Sequence, residues 1–148
     1  MPREKLEKII REILPKGHLM SLATVDDSGP WVSDVIYVYD GALNLYWISD
    51  PETRHSKALL QNPSVALTIT VSNRSKEPNE GLQIAGTAEK LVGKQYELAK
   101  LHWLKRGKEP PLEDSDYLEG ELWYKITPKL IDIISEPLWD FNKQSLRL

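Results

Sequence analysis

The chain has 148 residues, no cysteine and a net charge of −3, with 41% hydrophobic and 28% charged residues. That length fits one domain with a core of its own; the missing thiols exclude disulfides and thiolate chemistry, and the mild acidity speaks against general nucleic-acid binding. No apolar run approaches the ~18 residues of a membrane span, and the charged, amphipathic opening MPREKLEKIIREIL lacks the uncharged centre of a secretion signal, so a cytoplasmic protein with no membrane partner is expected.

Residues 3–14 carry Leu6, Ile9, Ile10, Ile13 and Leu14 at helical spacing, and Pro15 with Gly17 ends the run. HLMSLATV reads as a first strand, DDSGP as a turn, and WVSDVIYVYD as a second strand. Asp40-Gly41 is a favoured hairpin turn, after which ALNLYWIS returns as the third strand. In SDPETRHSKALLQNP, residues 49–63, a turn leads into a short helix. Pro51 suits its first helical position, and Asn62-Pro63 stops it. SVALTITVS is a fourth strand and SNRSKEPNEG, residues 72–81, a polar loop. GLQIAGTAEKL is a fifth strand in which Gly86 marks a bulge or the close approach of another backbone. Residues 94–106 predict a second long helix, with Tyr96, Leu98, Ala99, Leu101, His102 and Leu104 available for packing. After the loop KEPPLEDSD, ELWYKITPKLIDIIS gives one or two strands broken at Pro128, and EPLWDFNKQSLRL an irregular tail.

These elements describe a mainly β protein with peripheral helices (α+β). It has six or seven strands and three helices. Short turns favour antiparallel pairing, and closure into a small barrel removes the sheet edges. No linker, repeat or low-complexity segment divides the chain, so residues 1–148 are read as a single domain.

Motifs for local chemistry are absent. His18, His55 and His102 are far apart and no HExxH, GxSxG or P-loop pattern occurs, so no metal ligands or catalytic residues are assigned. The feature that stands out is Ser49, Thr53, Arg54, His55, Ser56 and Lys57, gathered where a strand turns into a helix. A helix N-terminus offers free N–H groups and the positive end of the dipole. An Arg fork and a Lys point charge would complete an anion cradle. Asp50 and Glu52 oppose this, since they complement the dipole themselves, and a solvated basic helix face is the plain alternative. Gln83 shares one strand face with Gly81 and Ala85; its amide either reads the polar edge of a ring system or faces solvent. Trp103, Trp123, Tyr124, Trp139 and Phe141 either wall a flat ligand or fill a core or a subunit interface, the more ordinary role.

Taken in order, HLMSLATVDDSGPWVSDVIYVY, LNLYWISDPETRHSKALLQNPSVALTI and LQIAGTAEKL resemble the FMN-binding split barrel of the pyridoxamine 5'-phosphate oxidase-like family, over roughly residues 18–92. The likeness is to an uncharacterised subgroup. Its carriers are a strand ending in a hydroxyl residue, a Ser/Thr-Arg-basic triplet, a helix closing in Asn-Pro, and a Gly-x-Ala-Glu strand.

The resemblance implies a homodimer with FMN in the groove between subunits. It places the strand-end hydroxyl at Ser49 and the phosphate triplet at Thr53, Arg54 and His55, with Lys57 as a secondary contact. It places Ile48 beside the flavin through its backbone, and residues 33–36, Ser33 among them, along the isoalloxazine. The family's ring-reaching amide falls nearest Gly81, so Gln83 on the same face is the substitute. Some positions depart from the family. Ser33 and Val38 stand where pyridoxamine oxidases carry basic residues, and His55 replaces a more usual Lys. FMN binding is therefore expected to be modest and pH-dependent. DFNKQSLRL lacks the basic motif that grips pyridoxal phosphate, which points away from vitamin B6 oxidation. The implied function is an FMN-dependent oxidoreductase acting on a small molecule. The alternative is a non-catalytic flavin, haem or deazaflavin binding module on the same fold.

Overall fold

Helix α1, Arg3–Ile13, turns Leu6, Ile10 and Ile13 inward, and a 3-10 turn at Leu14–Lys16 ends it where Pro15 removes an amide donor. The computed structural model describes residues 1–72 and 74–148; residue 73, within the expected polar loop 72–81, lies outside the described residues. Strands β1, Leu19–Asp26, and β2, Gly29–Ile36, pair in register from Leu19↔Ile36 to Asp26↔Gly29. Gly29 closes their short turn at φ +99°, a conformation that glycine adopts freely.

The expected second strand is interrupted at Tyr37. That ring is wholly buried and its hydroxyl donates to the Leu14 carbonyl at 2.6 Å, so the chain continues only as the two-residue β3, Val38–Tyr39. The following turn is wider than a two-residue Asp-Gly turn. Asp40 accepts the Ala42 and Asn44 N–H groups, each at 2.9 Å, and Leu43 rather than Gly41 takes the left-handed conformation, φ 70°. Leu43 is 3% exposed; its burial in the barrel core offsets the backbone cost.

The remaining elements are β4 (Leu45–Ser49), α2 (Arg54–Gln61), β5 (Ser64–Thr70), β6 (Glu80–Lys90), α3 (Tyr96–Lys105), β7 (Leu122–Ser135), α4 (Glu136–Trp139) and β8 (Gln144–Arg147). The sheet runs β2-β1-β5-β6-β7-β4-β3 with every pairing antiparallel, and β8 added on β7. Its two end strands, β2 and β3, are consecutive in the chain and joined at Tyr37. The sheet must therefore curl back on itself, and no ladder joins β2 to β3 among the described residues. This is the expected mainly β, antiparallel split barrel with helices at its periphery. The tail departs from the expectation: it forms α4 and β8, bringing the described elements to eight strands and four α-helices.

Pro128 does not break β7. Pairing shifts from Ala85↔Leu130 to Gly86↔Pro128, which leaves Lys129 as an extra residue in a bulge. The bulge accommodates a proline that has no N–H for the ladder. Gly86 lets the strands meet there, since a Cβ at that position would collide with the Thr127 carbonyl oxygen. The extra residue also switches the inward parity, from Tyr124 and Ile126 to Ile131 and Ile133.

Two apolar clusters result. The larger fills the barrel with α1 against it, and Trp47 stacks on Tyr124 inside at 5.2 Å. The smaller joins Val38, Tyr46, Ala99 and Trp123 under α3. Of the α3 residues expected to pack, Ala99 and His102 are buried, while Leu101 and Leu104 are exposed.

Candidate functional site

β4 alternates inward as Leu45, Trp47 and Ser49, and delivers a buried Ser49 to the turn before α2. There the Asp50 carboxylate accepts the Glu52 N–H at 2.8 Å, and its carbonyl accepts the Thr53 N–H at 3.2 Å. Thr53 is the N-cap, its hydroxyl accepting the Ser56 N–H at 3.3 Å. Pro51 thus belongs to the preceding turn and not to the first helical position. The hydroxyls of Thr53 and Ser56 lie 2.7 Å apart, and each reaches the Asp50 carbonyl at 2.9 Å.

Ser49, Thr53 and His55 come together. His55 is 8% exposed, and its Nε2 lies 2.7 Å from Ser49 Oγ and 3.3 Å from Thr53 Oγ1. Burial pushes its pKa below the ordinary histidine value, so the ring is neutral near pH 7. The third member of the basic triplet therefore points inward as a hydrogen-bonding partner and adds no charge to the surface.

Arg54 is exposed and lies across the hairpin. Its guanidinium stands 4.2 Å over the Trp31 ring, and Nη2 donates to the Ser28 carbonyl at 3.4 Å. Lys57 pairs with Glu52 at 3.0 Å, both exposed, an interaction of small net worth. The two acidic residues now have roles: Asp50 builds the turn and Glu52 occupies Lys57. What remains outward is Arg54 beside the first-turn N–H groups that no helix carbonyl can take.

Ser33 is half-buried on β2, between Trp31 and Val35 on one strand face. Val35 lines a cleft of about 460 Å³, and four residues of strand, about 13 Å, separate it from Trp31. Ile48, on the opposite face of β4 from Ser49, lines the same cleft with Asp34 and Ile36. The far wall comes from α3 and residues 117–121. Gln83 stands apart from both cradle and cleft. It is exposed on the outer sheet face beside Ala85, where Lys143 donates to its Oε1 at 3.3 Å.

Sequence reasoning did not place Trp31 under Arg54, nor Arg106 and Tyr117 at the cleft. The one signal for Arg106 is its position one helical turn after His102. Of the aromatic set, Trp123 and Tyr124 are core residues and Trp103 lines the cleft. Trp139 packs on the barrel cluster, and Phe141 is 83% exposed. Among the described residues no helix is long and apolar enough to cross a membrane.

Residues 6–134 match the family model for pyridoxamine 5'-phosphate oxidase. A UPF0306 protein of Pasteurella multocida (strain Pm70) is 31% identical over 96 residues. That match covers 64% of this chain and 64% of the relative, so the chain spans a little under two thirds of its length. The General Stress Protein 26 of Bacillus anthracis str. Sterne superposes with a TM-score of 0.70 at 21% identity, covering 97% of this chain and 98% of that one. An FAD-binding protein of Mesorhizobium loti gives 0.63 at 20% identity, covering 84% and 88%. A haem binding protein of Mycobacterium smegmatis gives 0.67 at 18% identity, covering 99% and 60%. At these identities the structural likeness is one of fold.

Proposed function

This chain belongs to the pyridoxamine 5'-phosphate oxidase family, and we propose that it is a homodimeric FMN-binding protein with oxidoreductase activity on a small molecule. The observation that carries the reading is the start of α2. Arg54 is held on Trp31 beside the first-turn amides of Arg54 and His55, which no helix carbonyl takes, and β2 runs from there past Ser33 to a cleft bordered by Asp34–Ile36 and Ile48. These residues fit a phosphate at one end and a flat ring at the other. Arg54 supplies the planar fork for phosphate oxygens. Thr53 fixes the turn, and the Ser49–His55 pair supports it from beneath. His55 is neutral and Lys57 is paired with Glu52, so Arg54 is the cradle's principal cation and a modest affinity is expected. FMN, when bound, supplies the hydride or electron chemistry. The chain's own residues bind it, orient it and exclude water.

The outer sheet face supports the dimer. Ala23, Ala66 and Ala85 with exposed Val32 form a shallow groove of mainly apolar character, with Gln83 at its side to reach a partner's ring. Pyridoxal phosphate is not the favoured substrate, since Lys143 is committed to Asp132 at 3.0 Å. The thin cationic charge favours, as a second reading, a binding module without turnover. The FAD-binding and haem binding neighbours give that reading its precedent.

Titrating the purified protein with FMN, followed by flavin absorbance and sedimentation, tests the proposal. Saturable binding to a dimer is expected. A flat titration at micromolar protein sinks it, and a Soret band in the purified protein transfers the site to haem.

A further inference from the structure

Helix α3 divides two cavities. His102, Trp103 and Arg106 line the cleft beside Ile36 and Ile48. Leu101, Leu104 and Lys105 share another face of the helix, at i, i+3 and i+4, and line a separate cavity of about 430 Å³ that has no residue in common with the cleft. Leu14 and Pro15, from the turn after α1, and Val38 and Tyr39 of β3 complete its walls. The volume lies in the range of small-ligand sites.

No acidic side chain lines this cavity, and its one formal charge at pH 7 is the Lys105 ammonium. That group does not run out into water as a surface lysine does. It folds back over the Tyr37 ring, 3.4 Å from the centroid, and donates to the Tyr37 carbonyl at 2.6 Å. Tyr37 is wholly buried and lines the same cavity, whereas Lys105 is only half-buried. The amine therefore covers the ring from the open side, with its other N–H groups turned away from the ring.

None of the ion pairs among the described residues includes Lys105. Burial draws its pKa down to about 8, so it is mainly protonated at pH 7. An ammonium has three donors, and a carboxylate would supply both the missing counter-charge and an acceptor. The neighbouring wall asks for something apolar. Leu101 and Leu104 are 47% and 58% exposed, and an alkyl chain laid between them and Leu14 would remove that surface from water.

We propose that this cavity binds a small monocarboxylate with an apolar tail, the carboxylate meeting Lys105 and the tail lying along Leu101 and Leu104. The site is distinct from the α2 cradle and from the cleft, so the proposal stands apart from the flavin reading.

Octanoate, octanamide and acetate separate the head from the tail. Octanamide keeps the tail without the charge, and acetate keeps the charge without the tail. Ligand-observed NMR titration is expected to show octanoate binding about tenfold tighter than either. Lys105→Met keeps an unbranched side chain and removes the charge. It should weaken octanoate about tenfold and leave octanamide unchanged, with the melting transition retained. Leu101→Ser, at an exposed position, should weaken octanoate several-fold and leave acetate unaffected. Octanoate binding no tighter than octanamide or acetate, no octanoate binding at all, or unchanged octanoate affinity in folded Lys105→Met overturns the proposal. If Lys105→Met does not fold, unchanged octanoate affinity in Leu101→Ser overturns it instead. Saturating FMN should leave octanoate binding undiminished, and competition between them would also overturn the assignment to this cavity. The first titrations contain no FMN, so failure of the flavin reading and failure of this one are separately visible.

Discussion

The start of α2 and the end of α3 both gather a histidine and an arginine, and they are finished in opposite ways. At α2 His55 shares a hydrogen bond with Ser49, and Arg54 rests on Trp31 and the Ser28 carbonyl. At the end of α3 His102 is buried and Arg106 half-buried, and each keeps an enclosed nitrogen atom without a hydrogen-bond partner among the described residues. The first arrangement is complete in itself and presents charge outward. The second keeps unmet hydrogen-bonding capacity enclosed in the packing beside a cleft. A cluster of chemically suggestive residues is thus not one kind of object: partnering and exposure, more than residue type, decide what it can present to a ligand.

The largest expected effect contrasts the two histidines in acid. Both have folded-state pKa values below the unfolded value, so the unfolded chain binds more protons below pH ~6.5 and stability falls as pH drops. For His102 the loss begins near pH 6.5 and continues to about 4, amounting to about 3 kcal/mol. Denaturant melts at stepped pH should show that His102→Phe flattens this decline. An unchanged slope would place the acid sensitivity elsewhere. Next in size, Arg54→Ala should weaken FMN binding by about 1.5–3 kcal/mol, tenfold or more, with little loss of thermal stability. Unaltered affinity moves the phosphate to another place on the surface. His55→Leu should leave Ser49 Oγ without its buried partner and cost roughly 1–3 kcal/mol in a urea melt. A neutral result would mean that the pair adds nothing to the cap. The smallest effect belongs to Lys57→Ala. Its exposed pair with Glu52 should be worth less than about 0.5 kcal/mol of stability; a larger drop would show that α2 depends on its surface charges.

Much of the fold was readable because it is local. The α1 periodicity, the Asn62-Pro63 stop and the glycine that marks a close backbone approach at Gly86 each show in a few neighbouring residues. Pro128 was misread because its accommodation depends on Gly86, a strand away, and on Lys129 being surplus to the ladder. The tail strand β8 was missed for the same reason: QSLR pairs with β7 in space, and nothing in its own four residues announces a strand. At the site, the Ser49, Thr53 and Arg54 grouping follows from chain spacing. The inward turn of His55, the contact of Arg54 with Trp31, and the separation of Gln83 from the cradle are tertiary facts. Arg106 was invisible in the sequence because its interest lies in what it lacks.

The seat of Arg54 on Trp31 also gives the molecule an optical handle. Trp31 is 44% exposed, whereas Trp47 and Trp123 are fully buried and Trp103 and Trp139 partly so. The indole under the guanidinium should therefore dominate the red side of the emission spectrum. An anion that draws Arg54 from the ring, or a flavin arriving within energy-transfer range, would change that emission first. Occupancy of the α2 cradle could be followed by light alone, without a label and without knowing the substrate.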